Sequence, residues 1–204
     1  MYIGDTMKRL TMFLLTCLLY LTAGQVGLAS AQVWELDKAH SNFYFSVTHI
    51  FSKVQGHFSE YSGEIRFDPA KLADSRLYFE IQTDSISTGI SKRDKHLQSP
   101  DFFDSGKYPL LVFESTRIQD AGNGLYEVSG KFTVKGEEYD LVLPLSFEGI
   151  RNHPAAKGRR VAGFNGKLTI DRLAYKIGSG KFSDLGLVGK DVDILVTIEG
   201  LNDQ

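Results

Sequence analysis

Apolar and polar residues alternate one by one along most of this chain, and a period of two leaves few folding options other than β-structure. In Phe43-Tyr44-Phe45-Ser46-Val47-Thr48-His49 the odd positions carry Phe, Phe, Val and His, while the even ones are mostly small or polar. Successive strand side chains point to opposite faces, so one face of this segment is greasy and the other wet. The pattern returns at Ile65-Arg66-Phe67, Leu77 to Thr83, Tyr139 to Leu145, Lys167 to Ile170 and Val192 to Ile198. Between these runs lie turn signals at Ser62-Gly63, Asp68-Pro69, Ala121-Gly122-Asn123-Gly124, Lys135-Gly136 and Asn165-Gly166. Many short strands without intervening helical patterns predict an antiparallel sandwich or barrel and argue against a parallel α/β sheet.

One stretch departs from the alternation. Ser91-Lys92-Arg93-Asp94-Lys95-His96-Leu97-Gln98 has good helix formers behind a Ser placed to cap them, with Pro100 as a stop, and predicts a single short helix on a long connection. Pro144, inside an apolar run, predicts a bulge or an edge position. No repeat or low-complexity linker divides the chain.

The amino terminus has the layout of a secretory signal. Met7-Lys8-Arg9 precedes an apolar run from Leu10 to Leu21 and then Ala29-Ser30-Ala31, a small-x-small cleavage site. The run is shorter than the roughly 20 apolar residues a membrane span needs. The expectation is a signal peptide over residues 1–31, removed after Ala31, and one mature domain over 32–204, delivered to the periplasm without a transmembrane segment. The chain's one cysteine, Cys17, falls inside the signal, so thiol catalysis, thiolate zinc sites and iron–sulfur clusters are excluded from the mature domain. With 23 Lys+Arg against 25 Asp+Glu the charge is near balance, which argues against bulk nucleic-acid binding.

Candidate chemistry is sparse. His40, His49 and His57 lie close in sequence, but not at the spacing of a compact His-x-His or helical His-x-x-x-His metal pair. His49 shares parity with Phe43, Phe45 and Val47, which predicts an inward side chain that must find a polar partner. There is no Gly-x-Ser-x-Gly, and Gly178-Ser179-Gly180-Lys181 lacks the rest of a phosphate loop, so a hairpin is the expected role of that segment. What the chain has in quantity is aromatic residues, 14 Phe, 9 Tyr and 1 Trp, several on the greasy parity of their strands. Roughly eight strands closed into a barrel enclose an interior that is either plugged by such side chains or able to hold one elongated ligand.

Several motifs in order carry a family resemblance. They are His40-Ser41 with Phe43 to His49, Gly56-His57-Phe58, Gly63 to Pro69, Ser85-Ile86-Ser87-Thr88-Gly89, and Arg93-Asp94-Lys95-His96-Leu97-Gln98-Ser99-Pro100-Asp101-Phe102-Phe103-Asp104. Lys107-Tyr108-Pro109, Phe113-Glu114-Ser115, Gly130 to Gly136, Thr169-Ile170-Asp171-Arg172 and Val188 to Val192 follow. Together they resemble the YceI-like family over essentially the whole mature domain. The resemblance implies an all-β, extended lipocalin-like antiparallel β-barrel, usually periplasmic, that holds a polyisoprenoid or similar long-chain lipid in a hydrophobic tunnel for storage or transport. It implies no catalytic residue, metal or resident cofactor, and it points to a homodimer, for which Tyr44, Tyr78 and Leu195 are mildly apolar outer-face positions. After Thr-Ile-Asp-Arg the family commonly has an aromatic and a Gly, where this chain has Leu173-Ala174-Tyr175-Lys176-Ile177-Gly178.

Parity and motif together nominate Phe43, Phe45, Val47, Phe67, Phe79 and Ile81 for the tunnel wall and His49 for a polar contact within it. Arg93 and His96 are placed at the mouth, facing a polar or anionic head group. Asp94 is expected to pair with a neighbouring base, and Asp101 and Asp104 to fix the loop after the helix. Each buried CH₂ is worth roughly 0.8 kcal/mol, so a five-carbon prenyl unit contributes up to about 4 kcal/mol before ordering costs. Two other readings stay open: a handler of isoprenoid quinones in periplasmic electron transfer, and a metalloenzyme using His40, His49 or His57.

Overall fold

The computed structural model describes residues 30–203. The signal-peptide expectation lies almost wholly outside them. Eleven strands form one antiparallel sheet: β1 (Val33–Leu36), β2 (Asn42–His49), β3 (Ser52–Phe58), β4 (Tyr61–Arg66), β5 (Arg76–Gln82), β6 (Ile86–Ser87), β7 (Leu110–Gly122), β8 (Leu125–Val134), β9 (Glu137–Asn152), β10 (Arg159–Asp171) and β11 (Val188–Asp203). Helix α1 spans Ser91–Gln98 as expected, and a four-residue helix, α2, spans Lys181–Asp184. Ser91 is the first residue of α1 and not its cap; that position falls to Ile90, which has no side-chain bond to offer. The expected hairpin at 178–181 is a bend leading into α2.

Pairing of β1 with both β4 and β11 closes the sheet into a barrel. Three of its staves are broken once. β1 and β2 are successive parts of the first, since β1 lies between β11 and β4 while β2 lies between β11 and β3. β3 with β4, and β5 with β6, make the second and third, bridged at their breaks by Gln82 N–H to the Glu60 carbonyl at 2.9 Å and Ser59 N–H to the Ser85 carbonyl at 3.2 Å. With β7 to β11 this gives eight staves, each beside its neighbour in sequence: an all-β, up-and-down, lipocalin-like barrel.

The two ends of the barrel differ. At the β1–β4 end, buried Trp34 donates its indole N–H to the Phe67 carbonyl at 3.0 Å. Phe67 packs edge-on against Tyr126 and Phe164, and at a tilt against Phe147, with centroids 5.1–5.2 Å apart. This aromatic plug fills that end. At the other end two ladders stop early. β6 pairs only with β3, and the side toward β7 is covered by α1 and the loop bearing Phe102 and Phe103, with Phe103 edge-on to Phe58 at 5.9 Å. β10 pairs with β9 only as far as Gly166↔Leu145. Pro144 sits where that pairing ends, so its missing N–H costs no bond to β10, an edge position as its residue type predicts. Segment 173–178 fills this second gap, Tyr175 lying 4.8 Å from Tyr139 and 5.6 Å from Phe132.

Two glycine turn expectations fail for an instructive reason. Asn123-Gly124 and Lys135-Gly136 do make the β7–β8 and β8–β9 hairpins, all four residues at positive φ. Gly63 and Gly166, however, lie inside β4 and β10. A Cβ on Gly63 would stand 2.5 Å from the Phe79 ring, and one on Gly166 would stand 2.9 Å from Leu143. These glycines make room for a neighbouring side chain and do not turn the chain.

Candidate ligand-binding cavity

Between the aromatic plug and the two sealed gaps the barrel holds a cavity of about 180 Å³. Its wall includes Phe43, Phe45 and Val47 of β2, Phe79 and Ile81 of β5, Phe113 of β7, Leu141 and Leu143 of β9, Leu168 and Ile170 of β10, and Ile194 and Val196 of β11. Leu97, Phe102 and Phe103 close it from the α1 side and Ile177 from the β9–β10 side. Three wall rings are seated over glycines of the adjoining strand: Phe45 over Gly56, Phe79 over Gly63 and Phe113 over Gly130, where an added Cβ would come within 2.4–2.7 Å of the ring. The glycines let the rings lie flat along the sheet, which keeps the middle of the barrel open.

Arg172 is the one charged residue in the lining and is 3% exposed. It follows Leu168 and Ile170 on the inward parity at the end of β10. Its guanidinium donates from Nε to the Gly189 carbonyl at 2.9 Å, from Nη1 to the Ile177 carbonyl at 2.8 Å and from Nη2 to the Val188 carbonyl at 3.4 Å. A guanidinium has five N–H groups, so two are left beyond these three bonds. Burial works against its charge and lowers its pKa, with Asp171 opposing. Asp171 faces the other way, 3.5 Å from Lys190 Nζ, and no carboxylate forms an ion pair with Arg172 among the described residues. Gly178 (φ +80°) is obligatory here, because a Cβ would lie 2.4 Å from Nη1 of Arg172 and 2.9 Å from the Phe102 ring. Arg172 thus ties the ends of β10 and β11 and segment 173–178 together, and gives an apolar cavity one cationic hydrogen-bond donor. It was not singled out from the sequence, although a charged residue continuing the inward parity of Leu168 and Ile170 was a readable signal.

The residues nominated from the sequence divide into two groups. Phe43, Phe45, Val47, Phe79 and Ile81 line the cavity. Phe67 does not: it faces inward, but at the plugged end. His49 is exposed at the rim, because β2 ends there and the inward direction leads out of the barrel. Arg93 turns away from any mouth contact and bonds to Thr88, from Nε to Oγ1 at 2.7 Å and from Nη2 to the carbonyl at 2.9 Å. Asp94 accepts from the Thr88 N–H at 2.9 Å instead of pairing with a base. His96 lies 3.0 Å from Asp101 and edge-on to Phe102. These four residues secure the α1 loop. Backbone bonds from Asp104 N–H to Ser99 and from Tyr108 N–H to Asp104 fold the loop behind them.

The three amino-terminal histidines do not converge. His57 lies edge-on to Tyr44, while His40 Nδ1 is 2.8 Å from Asp37 Oδ2 at the break between β1 and β2. Asp37, His40 and Glu199 bring ligand-type atoms within 4.8 Å of one another, the one such group among the described residues, and none of the three lines the cavity. Burial opposes ionisation of Asp37, but bonds from His40 and the Ala39 N–H outweigh it and hold the carboxyl below its usual range; the Asp37 bond in turn raises His40. The arrangement is that of an ion pair pinning the stave break. No helix among the described residues is long and apolar enough to cross a membrane.

Comparison with known proteins agrees with this architecture. A UPF0312 protein of Vibrio parahaemolyticus is 34% identical over 163 residues, covering 78% of this chain and 85% of that protein. The crystal structure of Burkholderia cenocepacia BcnA superposes with a TM-score of 0.72 at 27% identity, covering 81% of this chain and 99% of that one. A polyisoprenoid binding domain from Saccharophagus degradans, 16% identical, shares the fold with a TM-score of 0.62 over 84% of this chain and 98% of its own. The YceI-like domain profile matches residues 34–200, from the first strand of the barrel to the last. The chain belongs to the YceI-like domain family.

Proposed function

We propose that this protein is a non-catalytic carrier or store for a polyisoprenoid or similar long-chain lipid, with the chain in the barrel cavity and its polar end at Arg172. The observation that carries this reading is a cavity walled by aliphatic and aromatic side chains with a single buried cation at one end. Such a site rewards an apolar chain at about 25 cal/mol per Å² buried and offers its two remaining N–H groups to an oxygen acceptor. Among the described residues its wall carries no carboxylate, histidine, cysteine, serine, threonine or lysine. Family membership and the shared fold with a polyisoprenoid binding domain support the same reading.

A cavity of 150 Å³ accommodates benzene, so about 180 Å³ corresponds to roughly one prenyl unit. A longer chain enters by displacing segment 173–178 or the Phe102–Phe103 loop, the two places where no strand ladder has to break. The amino-terminal signal layout supports a periplasmic carrier, in a space where a free lipid of this kind is almost insoluble.

Arg172 also favours a second reading, an isoprenoid quinone, whose ring carbonyls are acceptors of the required type. Organic extraction of protein purified from its own host, followed by mass spectrometry, tests both. A long-chain isoprenoid without redox activity supports the carrier, and a reducible ligand selects the quinone. Protein that yields no lipid and takes up none overturns the proposal.

A further inference from the structure

The rim of the barrel at the cavity's sealed end carries a second anomaly. The β2–β3 hairpin turns on Ile50 and Phe51. Ile50 sits at φ +53°, a region that β-branched residues enter only under strain, and it is 48% exposed. Phe51 beside it is fully exposed. The Ile50 N–H donates to the Leu187 carbonyl at 3.1 Å, which sets the tip beside the β10–β11 connection, where Leu185 is 62% exposed. The short β6 runs along β3 in the direction of the same tip, and Ile90, 53% exposed, follows it by three residues at the start of α1. Lys92, Lys95 and Lys181 are exposed on the two helices of this end, and none of them forms an ion pair among the described residues. At the plugged end the exposed large apolar side chains, Val33, Leu125 and Ile150, are 40–50% exposed and sit singly on β1, β8 and β9, none as bare as Phe51.

A strained Ile and a bare Phe at a hairpin tip oppose both stability and solubility. Only Ile50 of the two turn residues has a positive φ, and a Gly at that first position would make the same turn without strain. We infer that the Ile50–Phe51 tip, with Ile90 and Leu185, docks this end of the barrel onto a lipid bilayer, its apolar side chains entering the interface and the free lysines meeting anionic head groups. The surface lies around the cavity end at which Val47 and Val188 line the wall and segment 173–178 makes the seal. Docking there brings a lipid's route out of the bilayer against the weak gap between β9 and β10. This inference rests on the lipid-carrier reading and adds where the lipid is collected or delivered.

The test is flotation of the full mature protein with vesicles of phosphatidylethanolamine containing phosphatidylglycerol, alongside farnesol binding measured without vesicles. Wild type is expected to float with the vesicles, less so at high salt. Phe51→Ser is expected to weaken vesicle binding by about tenfold or more, the share of one inserted aromatic side chain. Ile50→Asn should weaken it too without lowering thermal stability, since Asn tolerates the left-handed region. Both variants keep wild-type affinity for farnesol, because neither residue lines the cavity. Vesicle binding unchanged in Phe51→Ser, or absent in wild type, overturns the docking surface while farnesol binding judges the carrier reading separately. A wild-type dimer that Phe51→Ser turns into a monomer also overturns it, by assigning the tip to a second copy of the chain.

Discussion

Replacing Gly63 by alanine reverses the usual sign of a glycine substitution. Gly63 lies within β4 and is not at positive φ, so its backbone suits any residue. At such a site Gly→Ala ordinarily stabilises a protein by about 0.4–1 kcal/mol by restricting the unfolded chain. Here the new methyl would lie 2.5 Å from Cδ1 of Phe79 and 2.7 Å from the Tyr78 carbonyl oxygen, against an optimal carbon–carbon separation of about 3.5–4.0 Å. The Phe79 ring can swing aside only into the cavity, and the Tyr78 carbonyl belongs to the β5 ladder and has little room to yield. Overpacking of this kind costs about 1–3 kcal/mol. With the unfolded-chain gain subtracted, the expected net effect is a Tm lower by up to about 10 °C, using roughly 2–4 °C per kcal/mol for a domain of this size. Calorimetry measures it, with Gly106→Ala as the control, since a Cβ there meets nothing within 4 Å. Because the displaced ring occupies ligand space, farnesol affinity should fall in Gly63→Ala and hold in Gly106→Ala. A Gly63→Ala protein as stable as wild type, with unchanged farnesol binding, would refute the idea that glycines set the cavity wall.

Phe67→Ala should cost about 3–5 kcal/mol by opening a hole in the plugged end, yet change lipid affinity less than about twofold, as chemical denaturation and ligand titration would show. Arg172→Met leaves the Gly189, Ile177 and Val188 carbonyls without their donor, a loss of about 1–3 kcal/mol in the same denaturation assay. Arg172→Lys should not restore it, because an ammonium cannot fork to three carbonyls. His40 should titrate above its ordinary value near 6.5 in an NMR pH series and return toward it in Asp37→Asn. The His40 side of that pair stabilises the fold below the unfolded histidine pKa and is lost as pH rises through the raised value. The Asp37 side is present above the unfolded carboxyl pKa and lost as pH falls through the lowered one.

Strand parity read correctly which face a residue occupies and said nothing about its height along the barrel. Phe67 and His49 both point inward by parity; one lies at the plug and the other at the rim, because depth is set by register with strands distant in sequence. Glycine carried two meanings that composition cannot separate. Gly124 and Gly136 turn the chain, whereas Gly63 and Gly166 give way to a side chain from another strand. Arg93 is a charge on a helix, as its motif implies, but its partner is Thr88, five residues earlier. In sequence Arg172 only ends a strand motif, because the carbonyls of Ile177, Val188 and Gly189 gather around it only once the β10–β11 connection has folded.

Native mass spectrometry of the intact protein, comparing wild type with Ile194→Trp, tests the central claim most directly. Ile194 lines the cavity, and the larger ring occupies the space assigned to the lipid chain. Wild type should carry an adduct of lipid mass after incubation with polyisoprenol and release, whereas a folded Ile194→Trp protein should carry none. Equal adducts on both proteins, or none on wild type, would contradict a lipid held inside the barrel.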